Sequence, residues 1–530
     1  MNFSTIDFIV FIGYILMIIV VGLWVSQEKK GHIKNTEDYF LASKALPWWA
    51  IGASLIAANI SAEQFIGMSG SGFVIGLGIA TYEWMAAASL IIVAKFFLPI
   101  FIEKGIFTMP QFLQMRFDNR VRVSLAIFWI LVFVFINLTS VLYLGSLALN
   151  TIMGIPMIYG VIGLALFSAV YSIYGGLKAV AWTDVLQVIF LIGGGLVTTF
   201  MALKAVGNGD GAIAGFGNLL SQVPEKFDMI LSKSHESYKF LPGISVLIGG
   251  MWIANLSYWG CNQYIIQRAL GAKSIQEAQK GLVFAAYLKL LLPLIVVIPG
   301  IVAFVLKAPI EKPDEAYPWL LSNFVQPGFR GLAFAALIAA IVSSLSSMVN
   351  STSTIFTMDI YKPFFNPKAD EQRLVTVGRV VGIIALLAAI AIAPQLSNLE
   401  QAFQFIQDFT GLVSPGVVCI FIFGLFWKRA SANAALWTAI ITIPLSFFIE
   451  KIVFPDMPFI DRMGLVFILL SLILIIISLI DNKESDDKAI DHSSINFKTS
   501  DIFNIASIGV FGILRCYILF SGNLGNIYRR

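Results

Sequence analysis

The stretch WWAIGASLIAANISAEQFIGMSGSG, from Trp48 to Gly72, decides how the rest of the chain is organised. Its length and apolar ends suit a helix that crosses a membrane, but its middle carries Asn59, Glu63 and Gln64. A charged residue at the bilayer centre costs about 2.5–3.5 kcal/mol on insertion scales, so it normally faces a cavity or a partner. Non-helical backbone is tolerated at that depth only where protein or water covers it. The sequence therefore predicts a discontinuous helix that breaks just after Asn59.

A second stretch, WIANLS from Trp252 to Ser257, resembles IAANIS from Ile56 to Ser61. Both stretches lie in apolar segments, and both are followed by amide side chains. Paired interrupted segments in the two halves of a chain point to the binding site of a secondary transporter, where half-helix ends bind ions and substrate. We therefore expect a second break near Asn255 and a ligand site between the two breaks.

Composition excludes several functional classes. The 530 residues are 58% hydrophobic and 12% charged, which excludes an ordinary soluble protein. The net charge of +4 is small for this length and argues against nucleic-acid binding, and three scattered cysteines do not indicate a disulfide framework. The sequence shows no metal-ligand spacing, P-loop or nucleophile–base pair, so we expect neither an enzyme nor an organic cofactor. A channel would need a continuous polar lining, whereas large aromatic residues flank the predicted site.

Hydropathy predicts an all-α polytopic membrane protein with about fourteen transmembrane helices. The predicted spans are roughly 6–26, 48–71, 77–101, 121–152, 156–174, 179–204, 242–267, 274–308, 329–362, 373–394, 398–427, 430–451, 459–481 and 500–522. An odd number of spans in each of two blocks gives the blocks opposite topologies, as in an inverted repeat. The predicted units are an extra helix and cytoplasmic loop at 1–47, a first repeat at 48–204, an extracellular loop at 205–241, a second repeat at 242–427 and extra helices at 428–530.

The basic residues indicate the orientation of these helices. Lys and Arg accumulate in the cytoplasmic loops of membrane proteins, and most of the 35 in this chain fall in alternate loops, beginning with the loop after the first span. An even number of spans then places the N-terminus and the C-terminus outside.

Several polar side chains within the predicted spans need a partner or a ligand. Glu83 follows the first broken helix, and Lys289 follows the second. Intramembrane ionisable residues are functional by default, although these two could instead pair only with each other. Amides donate and accept hydrogen bonds, which suits a neutral polyhydroxyl solute, and their alternative role is packing between helices. The predicted cavity residues are Asn59, Gln64, Glu83, Asn255, Lys289 and Gln407, with the aromatic residues Tyr82, Tyr258, Trp259 and Phe403 nearby.

A cation site is predicted from the segment Gly331–Phe356, which is rich in small residues and hydroxyls. Small residues also serve close helix packing, but Ala340, Ser343 and Ser344 share one helix face. A site of five oxygens that does not require a carboxylate suits a weakly bound monovalent cation better than calcium, which takes more oxygens and usually carboxylates. The predicted ligands are the carbonyls of Ala57, Ile60 and Ala340 and the hydroxyls of Ser343 and Ser344, with Asp184 nearby to guide or balance the ion.

Several long motifs resemble the sodium:solute symporter family. They are AANISAEQFIGMSGSG, YSIYGGLKAVAWTDVLQ, ANLSYWGCNQYIIQR, the serine-rich segment and AFQFIQDFTGLVSPG, and the resemblance covers about residues 1–480. It implies a LeuT-like 5+5 inverted-repeat fold and Na⁺-coupled symport of a neutral hexose of the galactose or glucose type by alternating access. It also implies a place in the bacterial inner (plasma) membrane, with sugar, the sodium ion and the lipid bilayer as partners.

The alternative within this resemblance is a Na⁺ symporter of another small solute, such as sialic acid or a polyol. An anionic solute calls for an arginine clamp, and Phe128–Leu149 contains no arginine.

The resemblance also implies roles for individual positions. It implies that Gln64, Glu83, Asn255, Lys289 and Gln407 contact the sugar; that Tyr258 is the inner gate and Met68, Tyr82 and Phe403 form the outer side; and that Ala57, Ile60, Ala340, Ser343 and Ser344 hold sodium. Two departures stand out. Ala86 replaces an expected serine, and the final stretch from Asn504 to Arg530, which contains Arg515, does not resemble the family's usual end.

Overall fold

The computed structural model describes residues 3–25, 42–398, 401–481 and 487–527, and this part of the chain is helical with no strand. Most of the loop predicted after the first span lies outside the described residues. The α-helices are Thr5–Val25, Trp48–Asn59, Ser69–Val74, Thr81–Ile92, Leu98–Glu103, Met109–Arg116, Asn119–Val132, Thr139–Met153, Met157–Val206, Ala212–Gln222, Ser245–Ile248, Gly250–Leu256, Gln263–Leu270, Ile275–Val305, Ala316–Phe324, Phe329–Ile355, Glu371–Ile392, Ala402–Gly411, Ser414–Phe426, Ala432–Phe448, Phe459–Ile480 and Asp501–Ile527. Six π-helical segments interrupt or extend them: Glu63–Met68, Val93–Phe97, Phe133–Leu138, Ser257–Cys261, Phe356–Phe365 and Ile449–Val453.

Nine helices of the described residues are long and apolar enough to cross a membrane, or ten if the pair Ala402–Gly411 and Ser414–Phe426, bent by 46°, forms one span. The chain is therefore a multi-pass membrane protein, but the predicted count of fourteen is not confirmed. Two features account for much of the difference. The broken helices consist of pieces too short to qualify, and within the long helix Met157–Val206 only Val180–Val206 is counted, because its apolar first part, Met157–Ala169, is also too short.

The first broken helix is interrupted where the sequence predicts. Helix Trp48–Asn59 ends at Ile60, whose backbone is extended with φ −76° and ψ 94°. In an unbroken helix the Ser61 amide would donate to the Ala57 carbonyl, but it donates to Oε1 of Gln64 at 3.1 Å. The break thus removes the helical partner of a carbonyl that the sequence assigns to the cation.

The second broken helix is interrupted at Asn262, so the prediction of a break near Asn255 is wrong. Helix Gly250–Leu256 contains Asn255 and continues into the π-helical segment Ser257–Cys261. Only then does Asn262 adopt an extended conformation, with φ −87° and ψ 127°, before helix Gln263–Leu270 begins. The wide π turn keeps the backbone helical beyond the sequence match that suggested the earlier break.

The helix Phe329–Ile355, here called the serine helix, runs through the interior of the bundle. Most of its side chains are buried, and it packs against Thr5–Val25, Trp48–Asn59 and Met157–Val206. Its many Ala and Ser residues let neighbouring backbones approach closely. This helix therefore places its hydroxyl groups beside the first broken helix.

Asp7 ties the first helix to the start of the serine helix. Its buried carboxylate accepts hydrogen bonds from Nε and Nη2 of Arg330 at 3.0 and 2.6 Å. It also accepts from the backbone amides of Gly328 and Gly331 at 2.8 and 2.9 Å. A Cβ at position 331 would lie 2.5 Å from the Asp7 carbonyl oxygen, so this approach requires glycine. Asp7 thus satisfies amides that a helix start leaves without partners.

We expect Asp7→Ala to lower the thermal unfolding midpoint of the purified protein strongly. Removing one partner of a buried ion pair costs about 3–5 kcal/mol, because the other charge stays buried without compensation. Asp7→Asn keeps one acceptor and should lose less, and the exposed Asp210→Ala should behave like the parent. Intrinsic fluorescence during heating in detergent measures all three, and an unchanged midpoint for Asp7→Ala would contradict the clamp.

Candidate functional site

A cavity between the two broken helices collects the polar residues that the sequence singles out. Its empty volume of about 1000 Å³ includes open solvent, so the cavity is accessible from outside the protein. Its wall includes every predicted substrate residue and every predicted gate residue: Asn59, Gln64, Met68, Tyr82, Glu83, Asn255, Tyr258, Trp259, Lys289, Phe403 and Gln407. Residues far apart in sequence therefore share one surface.

Lys289 lies at the centre of the hydrogen bonding in this wall. Its buried ammonium group donates to Glu83 and to Oδ1 of Asn59, and it lies 5.1 Å from the centre of the Trp259 ring. The ion pair considered from the sequence is therefore present, and it lies in the cavity wall. Each charge compensates the burial of the other, while the pair contributes polar surface to the cavity.

The hydroxyl of Tyr258 connects the two broken helices. It accepts hydrogen bonds from Nδ2 of Asn59 at 2.9 Å and from the Tyr264 hydroxyl at 2.6 Å. Its ring packs edge-on against Trp259, with ring centres 5.1 Å apart. Because Asn59 ends the first half-helix and Tyr258 lies just before the second break, this contact holds the two interruptions together.

We expect Tyr258→Ala to lose coupled uptake and Tyr258→Phe to retain sugar binding with slower transport. The sequence alone predicts that transport largely survives in the Phe variant, which keeps the aromatic face and loses one hydroxyl. The structure changes this expectation, because Phe leaves the donors of Asn59 and Tyr264 without their acceptor, at about 1–3 kcal/mol for a buried group. Sodium-driven uptake and thermal stability are measured on both variants, with the exposed Tyr159→Phe as control. An Ala variant that folds normally and still accumulates sugar would reject a gating role.

Another part of the wall is formed by Tyr82, Phe403 and Met68. The Tyr82 and Phe403 rings pack edge-on with centres 5.4 Å apart. Phe403 approaches the first broken helix at Gly67, where a Cβ would lie only 2.9 Å from the Phe403 Cβ. The absence of a side chain at Gly67 thus allows helix Ala402–Gly411 to bring Phe403 and Gln407 to the cavity.

The predicted cation ligands lie at and beside the first break, and all of them are buried. The Ser344 hydroxyl donates to the Ala58 carbonyl at 3.1 Å and lies 3.4 Å from the Ala57 carbonyl. Ser343, its neighbour on the serine helix, donates to the carboxylate of Asp184. Ile60 supplies the extended backbone of the break, and Ala340 lies one turn earlier on the serine helix. Hydroxyl and carbonyl oxygens suit hard cations, so these residues fit a sodium ion.

Sequence reasoning missed Arg268, which is buried beside this cluster. Its guanidinium group donates to the Ser54 carbonyl at 3.0 Å, to the Ser54 hydroxyl at 2.8 Å and to the Ser347 hydroxyl at 2.5 Å. It lies 3.5 Å from Asp184, which also accepts from the Ser54 hydroxyl at 2.5 Å. Asp184 is therefore balanced by a protein cation, and the network joins both broken helices to the serine helix.

Other cavity residues were also missed or not assigned a role. Glu63, Asn137, Asn262 and Thr410 line the wall. Asn137 lies in the π-helical segment Phe133–Leu138, where its apolar neighbours conceal a polar position. Ala86 also lines the wall, so a serine at this position would place its hydroxyl in the cavity.

The atypical C-terminal stretch forms the helix Asp501–Ile527. The Tyr287 hydroxyl donates to the Ala506 carbonyl at 2.9 Å, and Tyr517 stacks on Trp84 with ring centres 4.7 Å apart. Arg515 is exposed. The last helix therefore packs on the two helices that carry Lys289 and Glu83.

Comparison with known proteins agrees with this architecture. The sequence matches the Sodium:solute symporter family over residues 39–442. It is 54% identical over 536 residues to the sodium/glucose cotransporter of Vibrio parahaemolyticus, with 98% of each chain covered. The sodium/myo-inositol cotransporter 2 of Homo sapiens is 35% identical over 459 residues, with 81% of this chain and 67% of the relative covered. A substrate-bound, outward-open Na⁺-coupled sialic acid symporter has a TM-score of 0.78 at 25% identity, covering 90% of this chain and 98% of that one. The chain therefore belongs to the sodium:solute symporter family.

Proposed function

We propose that this protein is a secondary active symporter that couples Na⁺ entry to uptake of a neutral hexose of the galactose or glucose type. The proposal rests on the first break, which belongs to both sites. Oxygens suited to sodium lie there directly beside polar groups of the cavity wall. Ala57 and Ala58 offer carbonyls to Ser344, and the next residue, Asn59, bonds Lys289 and Tyr258 in the cavity wall. The name of the Vibrio relative supports sugar as the solute.

Coupling follows from the position of the two sites on one segment. A sodium ion held by the carbonyls of Ala57 and Ile60, on either side of Asn59, orders the break, and that order positions Asn59 and Gln64 for the sugar. Sodium that stabilises the ordered break raises the affinity for sugar. By thermodynamic linkage, sugar raises the affinity for sodium by the same factor. The two predicted repeats at 48–204 and 242–427, each of which begins with a broken helix, would provide alternating access. In this proposal residues 205–241 form an extracellular loop, and both termini lie on the outer side of the bacterial inner membrane.

A neutral solute fits the cavity better than an anionic one. The cavity wall formed by the described residues contains Lys289 as its cation, and Lys289 is already paired with Glu83. A carboxylate such as that of sialic acid would therefore lack a free arginine or lysine to bind. A polyol remains the second candidate, because the myo-inositol cotransporter is a relative and ring hydroxyls would meet the same amides.

We expect uptake to require Na⁺ and to be faster when the vesicle interior is electrically negative. Asp184 lies beside the proposed sodium ligands, but its carboxylate is already paired with Arg268. The positive charge of the ion is therefore not neutralised by the protein and crosses the membrane with the ion. Each net charge gains about 2.3 kcal/mol per 100 mV of membrane potential. Uptake of galactose, glucose, myo-inositol and sialic acid is measured in proteoliposomes with imposed sodium gradients and potassium diffusion potentials. Accumulation that ignores both sodium and potential would reject symport.

A further inference from the structure

Glu63 lines the cavity, and the proposed function gives it no role. The residue is 7% exposed, and its Oε1 atom is buried without a hydrogen-bond partner among the described residues. It precedes Gln64 in the π-helical segment of the first broken helix, and both residues contribute to the cavity wall. A buried carboxylate oxygen without a donor is costly, so native structures normally give it one.

Charge balance distinguishes Glu63 from the neighbouring carboxylates. Glu83 is paired with Lys289, and Asp184 is paired with Arg268. Within the described part of the chain, no ion pair includes Glu63. The carboxylate and ammonium groups in the described wall are Glu63, Glu83 and Lys289, so the wall carries one formal negative charge without a protein counter-charge.

We propose that Glu63 is a specificity-determining residue that binds the ammonium group of an amino sugar, so that the transporter binds hexoses with a protonated amine in preference to the parent hexoses. This inference rests on the proposed sugar symport and names the class of sugar for the same site. An ammonium group supplies hydrogen-bond donors and the missing positive charge, whereas a hydroxyl can donate a hydrogen bond but carries no charge. A charge-assisted hydrogen bond at a buried position corresponds to a roughly tenfold to hundredfold gain in affinity.

The test is competition binding to the full-length protein in proteoliposomes at pH 7 with saturating sodium. Radiolabelled galactose or glucose is displaced by the unlabelled parent hexose and by its 2-amino-2-deoxy and 6-amino-6-deoxy derivatives. We expect at least one amine position to bind about tenfold more tightly than the parent hexose. Glu63→Gln keeps the shape and removes the charge, and it should reduce that amine-to-parent ratio about tenfold. Glu103→Gln, which removes an exposed carboxylate at a helix end, should keep the ratio.

Three results would overturn this inference. The first is the absence of any amine preference in the parent protein, and the second is an unchanged preference in Glu63→Gln. The third is a changed sodium-to-sugar ratio in Glu63→Gln, measured by dual-isotope flux, because the carboxylate would then bind sodium. If the neutral hexoses themselves fail to bind in the presence of sodium, the proposed function fails and this inference fails with it. Failure of the amines alone rejects only the inference.

Discussion

Lys289→Ala should sharply reduce sugar binding and also destabilise the protein. The substitution leaves the buried Glu83 carboxylate without its counter-charge, which costs about 3–5 kcal/mol. It also removes the donor to Asn59, whose other side-chain contact is the Tyr258 hydroxyl. We therefore expect the dissociation constant for sugar to rise at least a hundredfold, since a hydrogen bond to a charged group contributes about 1.5–3 kcal/mol and more than one such contact is lost.

The double variant Lys289→Met with Glu83→Gln separates binding from folding. It is formally neutral, so it should recover much of the thermal stability that Lys289→Ala loses, because no buried charge remains alone. It should not recover sugar binding, because both charged hydrogen-bonding groups are missing from the wall. Lys280→Ala is the matched control on the same helix, since Lys280 is half-buried and lies 3.6 Å from Glu277 in a surface pair. Sugar binding that returns together with stability would show that the pair is only structural.

Ser344→Ala should raise the sodium concentration needed for half-maximal uptake by roughly tenfold to a hundredfold, the effect of losing one oxygen contact to a charge. The Ser344 hydroxyl bonds the Ala58 carbonyl at 3.1 Å and lies close to the Ala57 carbonyl, so it belongs to the oxygen cluster at the first break. Alanine still packs at this buried position, and we therefore expect only a small change in unfolding temperature.

Ser346→Ala provides the control for that result. Ser346 is buried on the same helix, but its hydroxyl lies 3.3 Å from the Ser168 hydroxyl and not against the Ala57 and Ala58 carbonyls that Ser344 contacts. Sodium activation curves of uptake, together with expression and melting temperature, compare the two variants. Equal sodium activation in Ser344→Ala and the parent would show that the sodium oxygens lie elsewhere.

The cavity residues could be predicted from the sequence because polar groups in apolar spans are expensive. Asn59, Glu83 and Lys289 are conspicuous among Ala, Ile and Leu, and a membrane forces such groups to meet a partner or a cavity. The same contrast located the first break, where amide and carboxylate side chains interrupt a long apolar run. The roles of these residues in transport stay predictions until the variants are measured.

Other features could not be read from residue types. The second break depends on backbone angles at a π turn, and the letters around Asn255 do not encode whether the chain breaks there or at Asn262. Arg268 stands near a helix end, where arginine is common, and its partner Asp184 is remote in sequence. Hydropathy also does not reveal that Met157–Val206 runs as one helix, since apolar residues suit one long helix as well as two spans.

Three of the π-helical segments, Glu63–Met68, Phe133–Leu138 and Ser257–Cys261, contribute residues to the cavity. Their hydrogen bonds reach one residue further than those of an α-helix. Removing one residue from such a segment would restore α-helical spacing and turn the following side chains by about 100°, the rotation of one residue in an α-helix. In evolution, a single-codon insertion or deletion in one of these segments can therefore replace several groups of the ligand site at once. A one-residue gap between two relatives at these positions marks a remodelled site, even where the flanking residues are identical.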